Sequence, residues 1–161
     1  MTITVYTDGA AKGNPGPAGW AWWVDDTCWK SGGWARATNN HAELFAACEA
    51  LRTFESVGGE LVIVTDSRYV IDCLTRYIHG WKRNNWVTSK GGPVANRDLI
   101  NIIDGLANRR GIAVQWRWVK GHATSVGNMA ADRYASAAAH AQHSQTQIYH
   151  GPGFIYENAG E

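Results

Sequence analysis

LVIVTD, residues 61–66, is the stretch on which the fold turns: five apolar or β-branched residues without polar alternation, ended by an aspartate. A run of that length and composition predicts a central strand buried on both faces, the pattern of parallel sheets. Toward the N-terminus, Ile3, Val5 and Thr7 alternate in ITVYTDG and predict a first strand that stops at Asp8 and Gly9. A glycine-proline loop follows. The aromatics of GNPGPAGWAWWVDD (13–26), the turn at Asp25 and Asp26, and CWKSGGWARA (28–37) then predict two more strands, so residues 3–36 read as a three-stranded antiparallel meander. Between the meander and LVIVTD, the residues Leu44, Ala47, Cys48, Leu51 and Phe54 recur at helical spacing. They predict a helix from residue 40 to about 57, stopped by Gly58 and Gly59. A strand, a helix and a strand of this length form a βαβ crossover, which makes strands one and four parallel. Asp8 and Asp66 then both fall at strand carboxyl ends, where open α/β sheets place their ligands.

Toward the C-terminus, SRYVIDCL (67–74) predicts a short helix, followed by the basic, tryptophan-bearing YIHGWKRNNWVTSKGGPVANR (77–97). A helix from residue 97 to about 109, a strand AVQWRWV (113–119), a loop KGHATSVGN (120–128) and an alanine-rich helix to about residue 140 complete the pattern. The expected fold class is α/β: a five-stranded mixed sheet, three strands antiparallel and the rest parallel, flanked by helices. Residues 1–141 read as one domain, and residues 142–161 as a loosely ordered tail without clear periodicity.

The 161 residues, 45% of them hydrophobic, can bury one sizeable core and leave little room for two. Cys28, Cys48 and Cys73 are an odd set with no C-x-x-C spacing, which argues against a disulfide framework or a zinc site and fits a reducing, cytoplasmic setting. The opening MTITVYTDG has no basic-then-apolar leader, and no apolar run approaches the roughly 20 residues of a membrane span, so a soluble, unprocessed protein without membrane contact is expected. The net charge of +1 argues weakly against a polyanionic partner, but it conceals a patch. Within residues 68–97 stand Arg68, Arg76, Lys82, Arg83, Lys90 and Arg97 against the single acid Asp72. Near-neutrality therefore does not exclude nucleic acid.

Four carboxylates carry the chemical argument. Each has an ordinary explanation when taken singly. Asp8 before Gly9 suits a turn, and Asp66 before Ser67 suits a helix N-cap. Glu43, three residues after Asn40, resembles a capping box, and Asp132 suits an exposed helix position. Together, two at strand ends and two in helices, they form an oxygen-only set suited to a hard cation such as Mg²⁺, and point to metal-assisted phosphodiester cleavage.

At this point a set of strings in fixed order becomes decisive: YTDGA (6–10) with GNPGPAGW (13–20), TNNHAEL (38–44), TDSRYV (65–70), YIHGWKRNNW (77–86) with GGPVANRDL (91–99), and KGHA (120–123) followed by Asp132. The chain resembles the type I ribonucleases H, and among them the bacterial ribonuclease HI group, from about residue 2 to 140. The resemblance implies a ribonuclease H-like fold and an endonuclease that hydrolyses the RNA strand of an RNA–DNA hybrid, leaving 5′-phosphate and 3′-hydroxyl ends. It implies two Mg²⁺ ions, with Mn²⁺ as a substitute. Asp8 would bridge the two ions, Glu43 and Asp66 would complete one sphere, and Asp132 would serve the other. His122 corresponds to a loop histidine that moves protons or helps product leave, so its loss should slow turnover without abolishing it. Read alone, a loop histidine is more often a surface residue.

By the same resemblance Asn14, Asn39 and Asn40 read the RNA strand, Arg36, Thr38 and Asn96 grip a phosphate of the DNA strand, and Tyr77 and Trp81 lie beside that pocket. Turn and cap chemistry is the plainer reading of the asparagines. Phosphate contacts carry little sequence information, so low sequence specificity and salt-sensitive binding are expected. Residues 77–97 resemble the basic handle found in some members, in which Trp81 and Trp86 either touch nucleic acid or pack locally. Trp20, Trp22, Trp23, Trp29, Trp34, Trp116 and Trp118 are assigned to sheet packing. Three positions depart from the family pattern: Arg68 where Gln is frequent, a substrate-binding candidate that either adds a phosphate contact or weakens a base-edge one, Ile100 where some members have an aromatic, and HAEL in place of RMEL or RAEL. Processivity from a tethered hybrid-binding module is not expected, and a monomer is expected. A transposase- or integrase-like nuclease and a non-catalytic hybrid-binding protein are the alternatives. The KGHA and TNN strings disfavour the first, and the retention of all four acids disfavours the second.

Overall fold

A computed structural model describes residues 2–110, 114–121 and 125–147. The meander is present as β1 (Thr2–Ala11), β2 (Gly16–Asp25) and β3 (Cys28–Ala37), paired antiparallel in sequence order. β4 (Glu60–Thr65) lies parallel to β1, and β5 (Gln115–Trp118) parallel to β4. Six strands replace the expected five, because Gln145–Gln147 forms β6 antiparallel to the outer edge of β3, giving the order β5-β4-β1-β2-β3-β6. A three-residue polar strand held through its backbone to an edge leaves no hydrophobic pattern, so the sequence does not advertise it.

The sheet is covered on both faces. Ile3 and Val5 of β1 share a core with Leu44, Leu51 and Phe54 of α1 (Asn39–Thr53), and with Ile100, Ile103 and Leu106 of α4 (Arg97–Asn108). Tyr6, on the opposite face by the period-two alternation of a strand, packs with Trp23 against Ala130 and Ala131 of α5 (Val126–Ala141). α5 approaches β2 so closely that a Cβ at Gly19 would stand 2.2 Å from the Ala135 carbonyl oxygen.

The ends of α1 differ from expectation at both termini. Its N-cap is Thr38, whose hydroxyl accepts from the His41 N–H at 3.1 Å, so Asn40 lies inside the helix and Glu43 belongs to no capping box. The helix stops at Thr53 rather than near residue 57. The Arg110 guanidinium takes over the acceptors beyond that end, donating to the carbonyls of Phe54, Val57 (3.0 Å) and Gly59 (2.9 Å). After β4 the chain runs through α2 (Arg68–Asp72), a π-helical turn (Cys73–Tyr77) and α3 (Ile78–Arg83), longer than the short helix expected there. All three cysteines are buried, and none of them forms a disulfide.

Candidate active site

The register of the parallel pair builds the site. Thr7 of β1 pairs with Thr65 of β4, so the next residues, Asp8 and Asp66, emerge side by side at the carboxyl edge. Gly9 supplies the third acid. A Cβ there would meet the Glu43 backbone nitrogen at 2.4 Å, so the glycine lets α1 lie directly on β1 and delivers the Glu43 carboxylate beside Asp8. One oxygen from each of Asp8, Glu43 and Asp66 lies within 4.8 Å of the other two. Asp8 is 3% exposed and Glu43 5%, while Asp66 is half-buried.

The fourth acid, Asp132, projects from α5 into a cleft of about 320 Å³ lined by Asp66, Asn128, Met129, Asp132 and Arg133. Asp66 lines the same cleft, so Asp132 stands beside the other acids, and its side chain adds to the upward pressure on Asp8. The structure therefore brings all four predicted carboxylates to one place. His122 falls outside the described residues.

The charges are left in conflict. Burial, then the charges of Glu43 and Asp66, push the Asp8 carboxyl up to about 11, with Asp132 adding to the rise. Burial and then Asp66 push Glu43 up to about 8, against a downward pull from Asp8 and the Gly9 N–H. In the metal-free protein both carboxyls therefore hold protons more readily than ordinary acids do. Among the described residues no ion pair reaches Asp8, Glu43 or Asp132, and Glu43 Oε2 is buried without a hydrogen-bond partner. An oxygen-only donor set, crowded and unneutralised, fits a hard divalent cation, which would remove the repulsion and occupy the orphaned oxygen.

The predicted substrate residues form a second zone. Asn14 Oδ1 accepts from the Asn39 N–H at 3.0 Å, tying the β1–β2 loop to the start of α1. Arg36, Thr38 and Asn40 are exposed around the same junction of β3 and α1. Asn96 precedes α4 in a left-handed conformation (φ 61°), and its amide donates to the Tyr69 hydroxyl at 3.1 Å. A groove of about 500 Å³, lined by residues that include His41, Asn96 and Arg97, joins the starts of α1 and α4. Tyr77 is 47% exposed and its ring centroid lies 5.7 Å from that of Trp81, whereas Trp86 is buried in the core; of the two handle tryptophans, Trp86 therefore packs. Lys82 is engaged internally with Asp104 at 2.6 Å.

Two residues escaped the sequence reading. Asn128 lines the acid cleft and is 2% exposed, with Oδ1 unpartnered; its position one helical turn before Asp132, on the same face, is the signal that could have found it. Trp118, assigned to packing, is 38% exposed, and its Nε1 donates to the Asp66 carbonyl oxygen at 3.0 Å. Trp116 packs against the core, whereas Trp118, two residues further along the same strand face, is left partly exposed.

Comparison with known proteins agrees with this geometry. The family profile described as RNase H matches residues 1–140. A protein named Ribonuclease H from Tropheryma whipplei (strain Twist) is 41% identical over 157 residues, covering 98% of this chain and 96% of its own. Another of the same name, from Dinoroseobacter shibae, is 48% identical over 141 residues, covering 83% and 88%. Among solved structures, LC9-RNase H1, described as a type 1 RNase H with the type 2 active-site motif, superposes with a TM-score of 0.75 at 28% identity, covering 94% of this chain and 78% of that one. The sheet order, the acid cluster and these matches agree, and the chain belongs to the ribonuclease H family of hydrolases.

Proposed function

We propose that this chain is an endonuclease that hydrolyses the RNA strand of RNA–DNA hybrids with two divalent ions, leaving 5′-phosphate and 3′-hydroxyl ends. The observation that carries the reading is the convergence of Asp8, Glu43 and Asp66, with Asp132 alongside, on a cleft edge in the family's fold. Asp8, Glu43, Asp66 and Asp132 would hold the ions. When bound, such ions acidify the attacking water and stabilise the departing 3′-oxygen. The protein's own contribution is to hold four carboxylates converged before substrate arrives, so little reorganisation is left for the reaction. Mg²⁺ is the ion proposed, with Mn²⁺ able to replace it.

Around that centre, Asn14, Asn39 and Asn40 would contact the RNA strand, where a 2′-hydroxyl both donates and accepts hydrogen bonds and so distinguishes RNA from DNA. Arg36, Thr38 and Asn96 would hold a phosphate of the DNA strand, with Tyr77 and Trp81 beside it and Arg68 on the cleaved strand. His122 would move a proton or help release product. Their spread from the β1–β2 loop across α1 to the start of α4 supports a footprint wide enough for both strands of a duplex.

The test is cleavage of an RNA-labelled hybrid with and without Mg²⁺, beside double-stranded RNA, double-stranded DNA and the Asp66→Asn protein. Cutting of the hybrid's RNA alone, dependent on Mg²⁺ and lost in Asp66→Asn, is expected. Tight hybrid binding without cleavage in any divalent metal would replace the enzyme with a binding protein.

A further inference from the structure

Trp118 ends β5 at the carboxyl edge of the sheet, and the two parts of its indole meet different partners. The Nε1–H donates to the main-chain carbonyl of Asp66 at 3.0 Å. The ring face carries the Arg68 guanidinium, its central carbon 3.9 Å from the ring centroid. Arg68 is exposed in the first turn of α2, two residues beyond Asp66, and among the described residues its side chain makes no ion pair or hydrogen bond. An arginine this near a cluster of acids would ordinarily fork onto one of them. The stack holds it away, and because stacking uses the face of the guanidinium, its in-plane N–H donors stay unclaimed. A planar set of donors, pre-oriented beside a phosphodiester-cleaving centre, matches a phosphate oxygen pair.

We propose that Trp118 is a positioning residue with two separable roles: its N–H edge fixes the peptide that carries Asp66, and its π face presents Arg68 to a backbone phosphate of the cleaved strand. The assignment rests on the hybrid-nuclease reading. A purely structural tryptophan would contribute only to folding stability, as a partly exposed cation–π pair does.

Four proteins separate these ideas: Arg68→Gln, Trp118→Phe, Trp118→Leu and the Arg68→Gln/Trp118→Leu double variant. Each is assayed for steady-state hybrid cleavage with Mg²⁺ at several salt concentrations and for its melting temperature. Arg68→Gln is expected to raise KM roughly five-fold and to lower the slope of log(kcat/KM) against log[salt] by about one, with little change in kcat. Trp118→Phe keeps an aromatic face but loses the N–H, so kcat should fall roughly five-fold while KM holds. Trp118→Leu should show both effects, and the double variant should raise KM no further than either single one. Unchanged KM and salt slope in Arg68→Gln and Trp118→Leu, multiplicative KM effects in the double variant, or a Trp118→Phe protein with full kcat would overturn the assignment while wild-type cleavage stands. A wild-type protein that cuts no hybrid would instead bring down the functional reading, and this assignment with it.

Discussion

Helix α1 carries two buried glutamates that the protein treats in opposite ways. Glu49 is 8% exposed and saturated: Lys30 reaches it from β3 at 3.2 Å, and Arg52 from the next turn at 3.1 Å. Glu43, six residues earlier and 5% exposed, faces Asp8 and Asp66, and its Oε2 has no hydrogen-bond partner. Burial of a carboxylate therefore marks nothing by itself in this protein. What marks the functional end is burial combined with the withholding of cations, which leaves crowded carboxyls whose repulsion is relieved by protons in the metal-free protein and by a bound cation otherwise.

The largest effect should come from removing one acid from each setting. Glu43→Gln is expected to lower hybrid cleavage on the order of a thousand-fold or more, the scale of losing several kcal/mol of metal-assisted stabilisation. Glu49→Gln should leave kcat near wild type. The contrast breaks if both variants lose activity alike. Stability should run the other way. With chelator present, Glu43→Gln removes repulsion and should melt a few degrees higher than wild type. Glu49→Gln loses pairs whose cations are partly solvent-screened and should cost about 1 kcal/mol, or roughly 2–4 °C.

Metal addition sharpens the same comparison. At a divalent-ion concentration about a hundred-fold above its dissociation constant, the wild-type and Glu49→Gln proteins should gain about 2.7 kcal/mol of stability. Glu43→Gln and Asp8→Asn should gain far less. Equal melting shifts in all four proteins would mean that the ion does not bind at the acid cluster.

The acids also fix the sign of a pH effect. Asp8 and Glu43 hold protons more tightly folded than unfolded, so the native state binds more protons and metal-free stability falls as pH rises. Their stabilising contribution is present below the ordinary values of 3.8 and 4.5, is lost for Glu43 by about pH 8, and continues to decline for Asp8 toward about 11. Between pH 5 and 8 the wild-type protein in chelator should lose up to about 4 kcal/mol relative to Asp8→Asn, about 1.4 kcal/mol for each pH unit. A difference between the two proteins that stays constant across that range would show that the acids titrate normally.

The contrast between the two glutamates was half legible in the sequence. Asp8 and Asp66 follow from a continuous apolar strand and a βαβ crossover that makes strands one and four parallel, an argument that needs no family knowledge. Glu43 and Asp132 depend on where two helices land, and only their motif context marked them. Glu49 drew no notice because its partner Lys30 comes from a strand 19 residues away, a distance that helical periodicity does not bridge. The cap shifted from Asn40 to Thr38 because both residues offer an oxygen and only the helix's actual start decides between them. β6 and the exposed face of Trp118 were invisible for a related reason: edge pairing and the extent of packing along a strand face are tertiary facts with no local pattern.

The smallest expected effect carries the partnered-versus-unpartnered distinction to the basic handle. Lys82 is paired with Asp104 at 2.6 Å, whereas its neighbour Arg83 is exposed and has no ion-pair partner among the described residues. If the handle contacts phosphate, only the uncommitted cation releases its full share of counterions. Arg83→Ala should then weaken hybrid binding a few-fold and reduce the salt slope by about one, while Lys82→Ala changes the slope less and instead lowers the melting temperature slightly. Equal salt slopes in the two variants would show that ion pairing in the free protein does not govern which charges meet the substrate. The rule drawn from Glu43 and Glu49 would then hold for the buried acids, where desolvation enforces it, and fail at a surface where side chains re-pair at little cost.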